Sequence, residues 1–210
     1  MITLDELEKS PLYSEELGIH LEQQSDGECF KWFLASLLFG GRISETIAKR
    51  TYRAFERHGL LTPQRILEAG WDFLVNPIMR EGGYVRYDGM KSTQILRDCE
   101  KLMKDYGGSL LKLHEQAADS QDLEKRLLAF YRVGPVTVNI FLRELRPYWE
   151  KADPEPLPVV RELAQRLNID LDRYPRKSLT FVRIEAGLMR LRHRLKGPPD
   201  RGSPEPTSSP

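Results

Sequence analysis

Apolar residues along this chain recur mainly at three- and four-residue spacing, and no stretch shows the strict alternation of a half-buried strand. Residues 28–39, ECFKWFLASLLF, are apolar on most sides, which predicts a central buried helix ending at Gly40-Gly41. The last periodic segment, from about Ser178 to Leu195, also has helical spacing. We therefore expect an all-α fold.

Capping residues predict where further helices begin. Serine, threonine and aspartate accept hydrogen bonds from the free amides of a first helical turn. Such residues precede apolar-periodic segments at Ser44, Thr62, Asp88 and Ser120. The four prolines of residues 146–158 predict an irregular segment between two helices.

Composition limits the class of protein. Apolar residues form 40% of the 210 residues, charged residues 30%, and the formal net charge is +1. No apolar run approaches the roughly 20 residues that span a bilayer, so we expect no membrane partner and a cytoplasmic location. Cys29 and Cys99 lie at apolar helical positions, which favours buried thiols, and two cysteines are too few for a four-cysteine metal site. We expect no metal and no cofactor.

The near-neutral total charge hides an asymmetry. Residues 1–28 carry eight acids and one base, which leaves the remainder with 31 bases, 23 acids and a net charge of +8. A basic body behind an acidic leader fits a polyanionic partner, although solvated surface lysines and arginines would have the same composition.

A short turn, RVGP at residues 132–135, joins two helix-like segments. Such a turn leaves unpaired backbone N–H groups at the positive end of the second helix, where a phosphate can bind. The predicted donors are the amides of Gly134, Val136 and Thr137, with the Thr137 hydroxyl and the Arg132 side chain beside them. The alternative is an ordinary αα-hairpin between two core helices.

The segment LAFYRVGPVTV, residues 128–138, resembles the helix–hairpin–helix of the HhH-GPD superfamily of DNA base-excision glycosylases, whose hairpin typically reads L-x-G-[VI]-G-x-x-T-A. Val133, Gly134 and Thr137 match, whereas Arg132 replaces the first glycine and Val138 the alanine. Residues 37–55 and 82–103 are similar to upstream segments of that family, with Lys91 and Ile95 matching, and the order holds over about residues 25–195.

The resemblance implies a two-lobed helical bundle. Its expected organisation is an acidic leader at residues 1–27 packed on the C-terminal lobe, followed by a glycosylase-like domain at residues 28–195. Within that domain the middle lobe spans about residues 42–145, with the hairpin at 123–145, and the remainder forms the second lobe. Residues 196–210 are rich in proline and serine, which predicts a disordered tail.

The family places a catalytic aspartate in the loop after the hairpin's second helix. A carboxylate there stabilises the positive sugar that forms as a base departs. The acids of this loop are Asp153 and Glu155. Asp153 has the matching side chain one residue early, and Glu155 has the matching place. An alignment backwards from ELAQRL puts the position near Leu157, which would leave the site inert.

Two further departures refine the expected chemistry. Family members that also cleave the DNA backbone use a lysine as nucleophile, and Val136 occupies its place. The resemblance therefore implies hydrolysis of the base–sugar bond without Schiff-base chemistry. The C-terminal four-cysteine cluster of some members is also missing, because the corresponding segment has no cysteine.

The resemblance also implies loops that fill the gap left by an extruded base. Their counterparts here are residues 40–43 and 84–88, with Arg42 and Tyr87 as the candidate plugs. Lys91 joins them among the expected DNA-binding residues. Tyr87 fits equally well as a buried anchor of its loop. Trp32, Phe30 or Tyr148 would be available to stack on a base, although aromatic residues at helical spacing are more often core.

The resemblance and the basic body predict a monomeric, monofunctional DNA glycosylase that excises a damaged or mispaired base from double-stranded DNA. If the source is a bacterium or an archaeon, we expect it to associate with the nucleoid. A catalytically inert helix–hairpin–helix DNA-binding protein is the alternative. A helical scaffold with no nucleic-acid role is a third reading.

Overall fold

The computed structural model describes residues 3–195, with side chains described to residue 192; the expected disordered tail at 196–210 lies outside them. Every regular element in this part of the chain is helical, and it contains no strand. The prediction of an all-α fold is confirmed.

The helices follow one another with short connections. We number them in chain order: α1 Leu4–Glu8, α2 Tyr13–Glu16, α3 Asp26–Phe39, α4 Glu45–Arg57, α5 Pro63–Phe73, α6 Arg80–Gly82, α7 Asp88–Tyr106, α8 Leu110–Gln116, α9 Ser120–Leu128, α10 Pro135–Leu145, α11 Pro158–Arg166 and α12 Leu179–Leu195. A π-helical segment, Leu74–Met79, joins α5 to α6, and 3-10 turns occur at Leu21–Gln23 and Leu171–Arg173.

Two of the four predicted capping residues act as caps. The Ser44 hydroxyl accepts from Ile47 N at 3.3 Å and the Thr62 hydroxyl from Arg65 N at 3.2 Å. The other two predictions are wrong by one residue. Asp119, rather than Ser120, accepts from Asp122 N at 2.8 Å.

At the start of α7, Tyr87 occupies the N-cap position in a left-handed conformation with φ 67°, and its side chain accepts no capping hydrogen bond. Asp88 lies inside the first turn and accepts from the Gly89 amide at 2.7 Å.

Buried apolar side chains form two clusters. The larger surrounds α3, whose Trp32 and Phe33 are almost fully buried, and it includes residues of α4, α7 and α10. The smaller joins α1, α11 and α12 around Leu7, Val160 and Leu188. The boundaries of the lobes at residues 42 and 145 stay a prediction.

The acidic leader lies against α12. Leu7 of α1 is 1% exposed in the smaller cluster. Glu15 pairs with Arg183 at 2.6 Å and Glu16 with Arg190 at 2.9 Å. Part of the leader's negative charge is thus neutralised within the chain.

The C-terminal end of α3 meets the N-terminal end of α10 at very short range. A Cβ added to Gly40 would overlap the Thr137 hydroxyl, and one added to Gly41 would overlap the Tyr84 hydroxyl. The two glycines therefore allow residues 40–44 to lie directly against α10 and the loop before α7. This close approach brings residues 40–43, residues 84–88 and the turn between α9 and α10, the three segments predicted to contact DNA, into one region.

Candidate nucleic-acid interface

The hairpin turn, residues 129–134, lies on the surface between α9 and α10. Arg132 has φ 58°, a left-handed conformation that favours glycine, and it stands where the resembled motif has its first glycine. Tyr131, Arg132, Pro135 and Val136 are exposed, whereas Val133 is 7% exposed and anchors the turn in the core. The turn is therefore exposed to solvent, and the buried Val133 side chain holds it in place.

The N-terminus of α10 has no side-chain cap. Gly134 is its N-cap residue, and within the described residues the amides of Gly134, Val136 and Thr137 have no hydrogen-bond partner. By contrast, α3, α4, α5 and α9 are capped by side chains of Ser25, Ser44, Thr62 and Asp119. An uncapped helix start on an open surface is a favourable place for an anion.

The side chains of this helix start do not all face outwards. Thr137 is only 6% exposed, and its hydroxyl lies against Gly40. Of the donors predicted at Thr137, the backbone amide remains and the hydroxyl faces α3. Val136 is 50% exposed and offers an apolar surface beside the free amides.

A buried aspartate that the sequence reading missed supports the turn. Asp98 of α7 is fully buried and its Oδ1 accepts from Tyr131 N at 2.7 Å, while its Oδ2 has no partner in the described part of the chain. Burial raises the pKa of Asp98 to about 7, opposed by the bond from Tyr131. Its position on the apolar face of α7, between Ile95 and Leu102, was the available sequence signal.

A cavity of about 460 Å³ opens beside the hairpin turn. It brings together four residues predicted from three separate segments, namely Arg42, Tyr87, Lys91 and Arg132. Tyr87 is 48% exposed, so its ring is not a buried anchor. The close packing of Gly40 and Gly41 explains why these distant segments converge.

Lys91 has a different role from an exposed phosphate ligand. Its Nζ donates to the Leu37 carbonyl and to Gln94 Oε1, both at 2.7 Å, and the residue is 8% exposed. It thereby satisfies a carbonyl in the last turn of α3, where a cation is favourable. Burial lowers the pKa of Lys91 to about 8.

A second cavity, of about 490 Å³, shares Gly40, Gly41 and Arg42 with the first. Val136 and Ile140 of α10 form one apolar wall. Arg143 lies on the same face of α10 as these two residues. The rest of the lining consists of Tyr13, Phe39, Ile43, Ser44, Glu45, Ala48, Met189 and Arg192. Sequence reasoning missed Tyr13 and Arg143, which lie far apart along the chain.

The acid loop, residues 151–157, is arranged differently. The Asp153 carboxylate pairs with Arg176 at 2.8 Å and lies 3.5 Å from Arg146 Nε. Glu155 pairs with Arg161 and, at 3.1 Å, with Arg176. Neither acid lines either cavity. These contacts bind both carboxylates to arginines instead of leaving one free beside the hairpin turn.

The position that a backward alignment assigns to the family's aspartate also holds no acid. Leu157 is the N-cap residue of α11 and makes no side-chain cap. The one acidic residue that lines either of these cavities is Glu45, which pairs with Lys49. The expected stacking residues Trp32, Phe30 and Tyr148 line neither cavity, and Trp32 Nε1 donates to the Phe141 carbonyl at 3.0 Å.

Residues 3–195 contain no group of three or more His, Cys, Asp or Glu side chains arranged to hold a metal ion. None of the helices in this range has the length and apolarity needed to cross a membrane. Comparison of the chain with protein-family models, curated proteins and solved structures found no match.

Proposed function

We propose that this protein binds duplex DNA, with one sugar–phosphate strand held at the hairpin turn. The observation that carries the proposal is the uncapped, exposed N-terminus of α10, whose amides have no partner among the described residues. Backbone amides at a helix start bind phosphate without reading a base. Binding at this place is therefore expected to depend weakly on sequence.

The surroundings of the turn support the same proposal. Arg42 and Arg132 are exposed and line the adjoining cavity, so two cations lie near the free amides. Arginines next to a helix start add the charge that attracts a polyanion and releases its counterions. The colinear resemblance to helix–hairpin–helix proteins points to the same partner.

Equilibrium binding of a fluorescent 20-base-pair duplex to Arg132→Glu tests this proposal. We expect a loss of affinity of about tenfold or more at low salt, and a decrease of the log–log salt slope by about 1. Arg166→Glu is the matched control, because Arg166 is an exposed arginine of α11 that lines neither cavity. Equal losses in both variants, or no duplex binding by the wild-type protein, would overturn the proposal.

A second candidate function is monofunctional DNA N-glycosylase activity. The observation that favours it is the second cavity beside Val136, whose volume of about 490 Å³ lies in the range of small-molecule sites. In such a reaction a water oxygen bonds to the sugar C1′ and its proton passes to the base. The base leaves with the electron pair of the broken C1′–N bond. Valine at position 136 offers no amine for Schiff-base chemistry.

Base release from duplexes with a panel of lesions, followed by alkali, tests the enzymatic candidate. Asp153→Asn together with Glu155→Gln abolishes release if either acid stabilises the sugar cation. If base release survives this double change but is lost in Glu45→Gln, the catalytic role belongs to Glu45 in the second cavity. No release from any lesion by the wild-type protein would leave the DNA-binding proposal alone standing.

A further inference from the structure

Arg143 of α10 is a buried cation that has no hydrogen-bond partner among the described residues. It is 2% exposed, and within the described residues its side chain makes no ion pair or hydrogen bond. Nε and Nη1 are both buried and unpaired. Burying a guanidinium in this way costs free energy unless a hydrogen-bond acceptor pairs with it. Arg143 lines the second cavity, and its Nη2 is not among the fully buried atoms, so a bound ligand is in a position to supply an acceptor to Nη2.

The charge of the second cavity is positive. Its lining contains Arg42, Arg143 and Arg192 against one acid, Glu45, and that carboxylate is already paired with Lys49. A cationic ligand would meet repulsion from the arginines at short range in a partly enclosed space. A neutral ligand with carbonyl oxygens meets donors instead.

The walls of the cavity suit a flat ring. Tyr13 and Phe39 meet edge to face at 5.4 Å between ring centroids, and the Arg143 guanidinium lies 5.7 Å from the centroid of Tyr13. Ile140 and Met189 add apolar surface. An aromatic ring bound in this cavity would contact apolar side chains and have an arginine donor in the same lining.

We propose that the second cavity binds an extruded, uncharged nucleobase through a ring carbonyl oxygen that accepts from Arg143, and that it discriminates against bases made cationic by alkylation. This inference rests on the proposed binding of DNA at the hairpin turn and names the base class taken by the cavity beside it. Two effects produce this discrimination. A carbonyl oxygen accepts a hydrogen bond from Arg143, and the positive charge of the cavity repels a cationic base.

Binding of four duplexes separates the two effects. Each carries one 2′-fluoro purine nucleotide, which resists loss of the base, opposite a tetrahydrofuran abasic analogue so that no base pair has to be broken. Guanine carries the O6 carbonyl oxygen and a proton on N1, and 2-aminopurine lacks both. Cationic 7-methylguanine and neutral 7-methyl-7-deazaguanine have nearly the same shape and differ in charge.

For the wild-type protein we expect tighter binding of guanine than of 2-aminopurine, and of the deaza base than of 7-methylguanine, each by about tenfold, the effect of one hydrogen bond to a charged group. Arg143→Met removes the first preference and weakens the second, and Arg143→Lys retains an intermediate preference. Arg166→Met, outside the cavity, keeps both ratios.

Equal affinity for all four duplexes, or a preference for 7-methylguanine, would overturn the inference even if Arg143→Met failed to fold, because both comparisons use the wild-type protein. Salt-dependent binding of all four without preference would leave DNA binding intact and remove the cavity assignment.

If no duplex binds, the proposed function fails. Binding to the cavity is then tested separately, by the ¹⁹F line width of free 5-fluorouracil in the presence of the protein. Broadening by wild type that is lost in Arg143→Met supports the assignment, and no broadening by wild type removes it.

Discussion

At the start of α10, beside the hairpin turn, the amides of Val136 and Thr137 have no hydrogen-bond partner among the described residues, whereas in the acid loop both carboxylates pair with arginines. The two segments are the ones that the sequence marks for DNA contact and for catalysis. The hairpin turn and the start of α10 expose polar groups that a ligand can satisfy. The acid loop satisfies its polar groups within the chain. Unsatisfied groups on a fixed surface are the better indicator of a binding site.

The difference extends to what lies beneath each segment. Under the hairpin turn, one Asp98 oxygen accepts from the Tyr131 amide and the other has no partner within residues 3–195. Under the acid loop, the buried Arg146 donates to Glu185 and to the Pro154 carbonyl. The acid loop is thus tied to α12 through a buried ion pair, and its charges contribute to structure.

The largest expected effect comes from breaking that buried ion pair. Arg146→Met leaves the fully buried Glu185 without its cation, which we expect to lower the free energy of unfolding by about 3–5 kcal/mol. Urea unfolding followed by circular dichroism measures it. The double change with Glu185→Leu should recover much of the loss. A single-variant loss below about 1 kcal/mol would show that the acid loop does not depend on this pair.

A smaller effect is expected where α3 meets the hairpin. Gly40→Ala introduces a Cβ that overlaps the Thr137 hydroxyl, at an expected cost of about 1–3 kcal/mol in thermal or urea unfolding. Thr137→Ala in the same chain removes the overlapping oxygen and should restore most of the stability. The absence of any such recovery would argue against this contact as the cause.

The pH dependence of stability tests the support of the turn. Because the pKa of Asp98 is raised from 3.8 to about 7 in the folded chain, its contribution is fully present below pH 3.8 and is lost as pH rises through about 7. Asp98→Asn should remove this fall and stabilise the protein at pH 8, by on the order of 1–2 kcal/mol. Melting temperatures from pH 4 to 8 measure it, and parallel curves for both proteins would contradict it.

The smallest expected effect concerns the exposed edge of the acid loop. The Glu155 side chain is 70% exposed, so its ion pairs with Arg161 and Arg176 are screened by water. Glu155→Gln should change the free energy of unfolding by less than about 0.5 kcal/mol. A loss of base release in this variant, at unchanged stability, would restore a catalytic role to the acid loop.

Local rules were sufficient for the longer helices. The apolar run of residues 28–39 and the caps at Ser44 and Thr62 act within one or two turns, and the corresponding helices begin within two residues of their predicted starts. Short elements were not predicted. The helix α8 has seven residues and α1 has five, too few to display a clear periodicity.

The candidate site was only partly predictable. Arg42, Tyr87, Lys91 and Arg132 were each named from sequence, but whether they share a cavity depends on how α3 and α7 approach α10. Lys91 was predicted to contact DNA, but its ammonium group is buried and donates to the Leu37 carbonyl. Asp98 and Arg143 were missed because a charged residue in an apolar stripe does not by itself reveal its partners.

The sequence by itself determined the helical class, most long helices and the place of the hairpin turn, because hydrophobic period, capping and glycine conformation act between near neighbours. Only the tertiary structure decided which polar groups are paired. It joined Asp153 to Arg176 across 23 residues, and it left Arg143 and the first amides of α10 without hydrogen-bond partners in the described residues. Pairing depends on distances between helices, and these follow from packing of the whole chain rather than from any one segment.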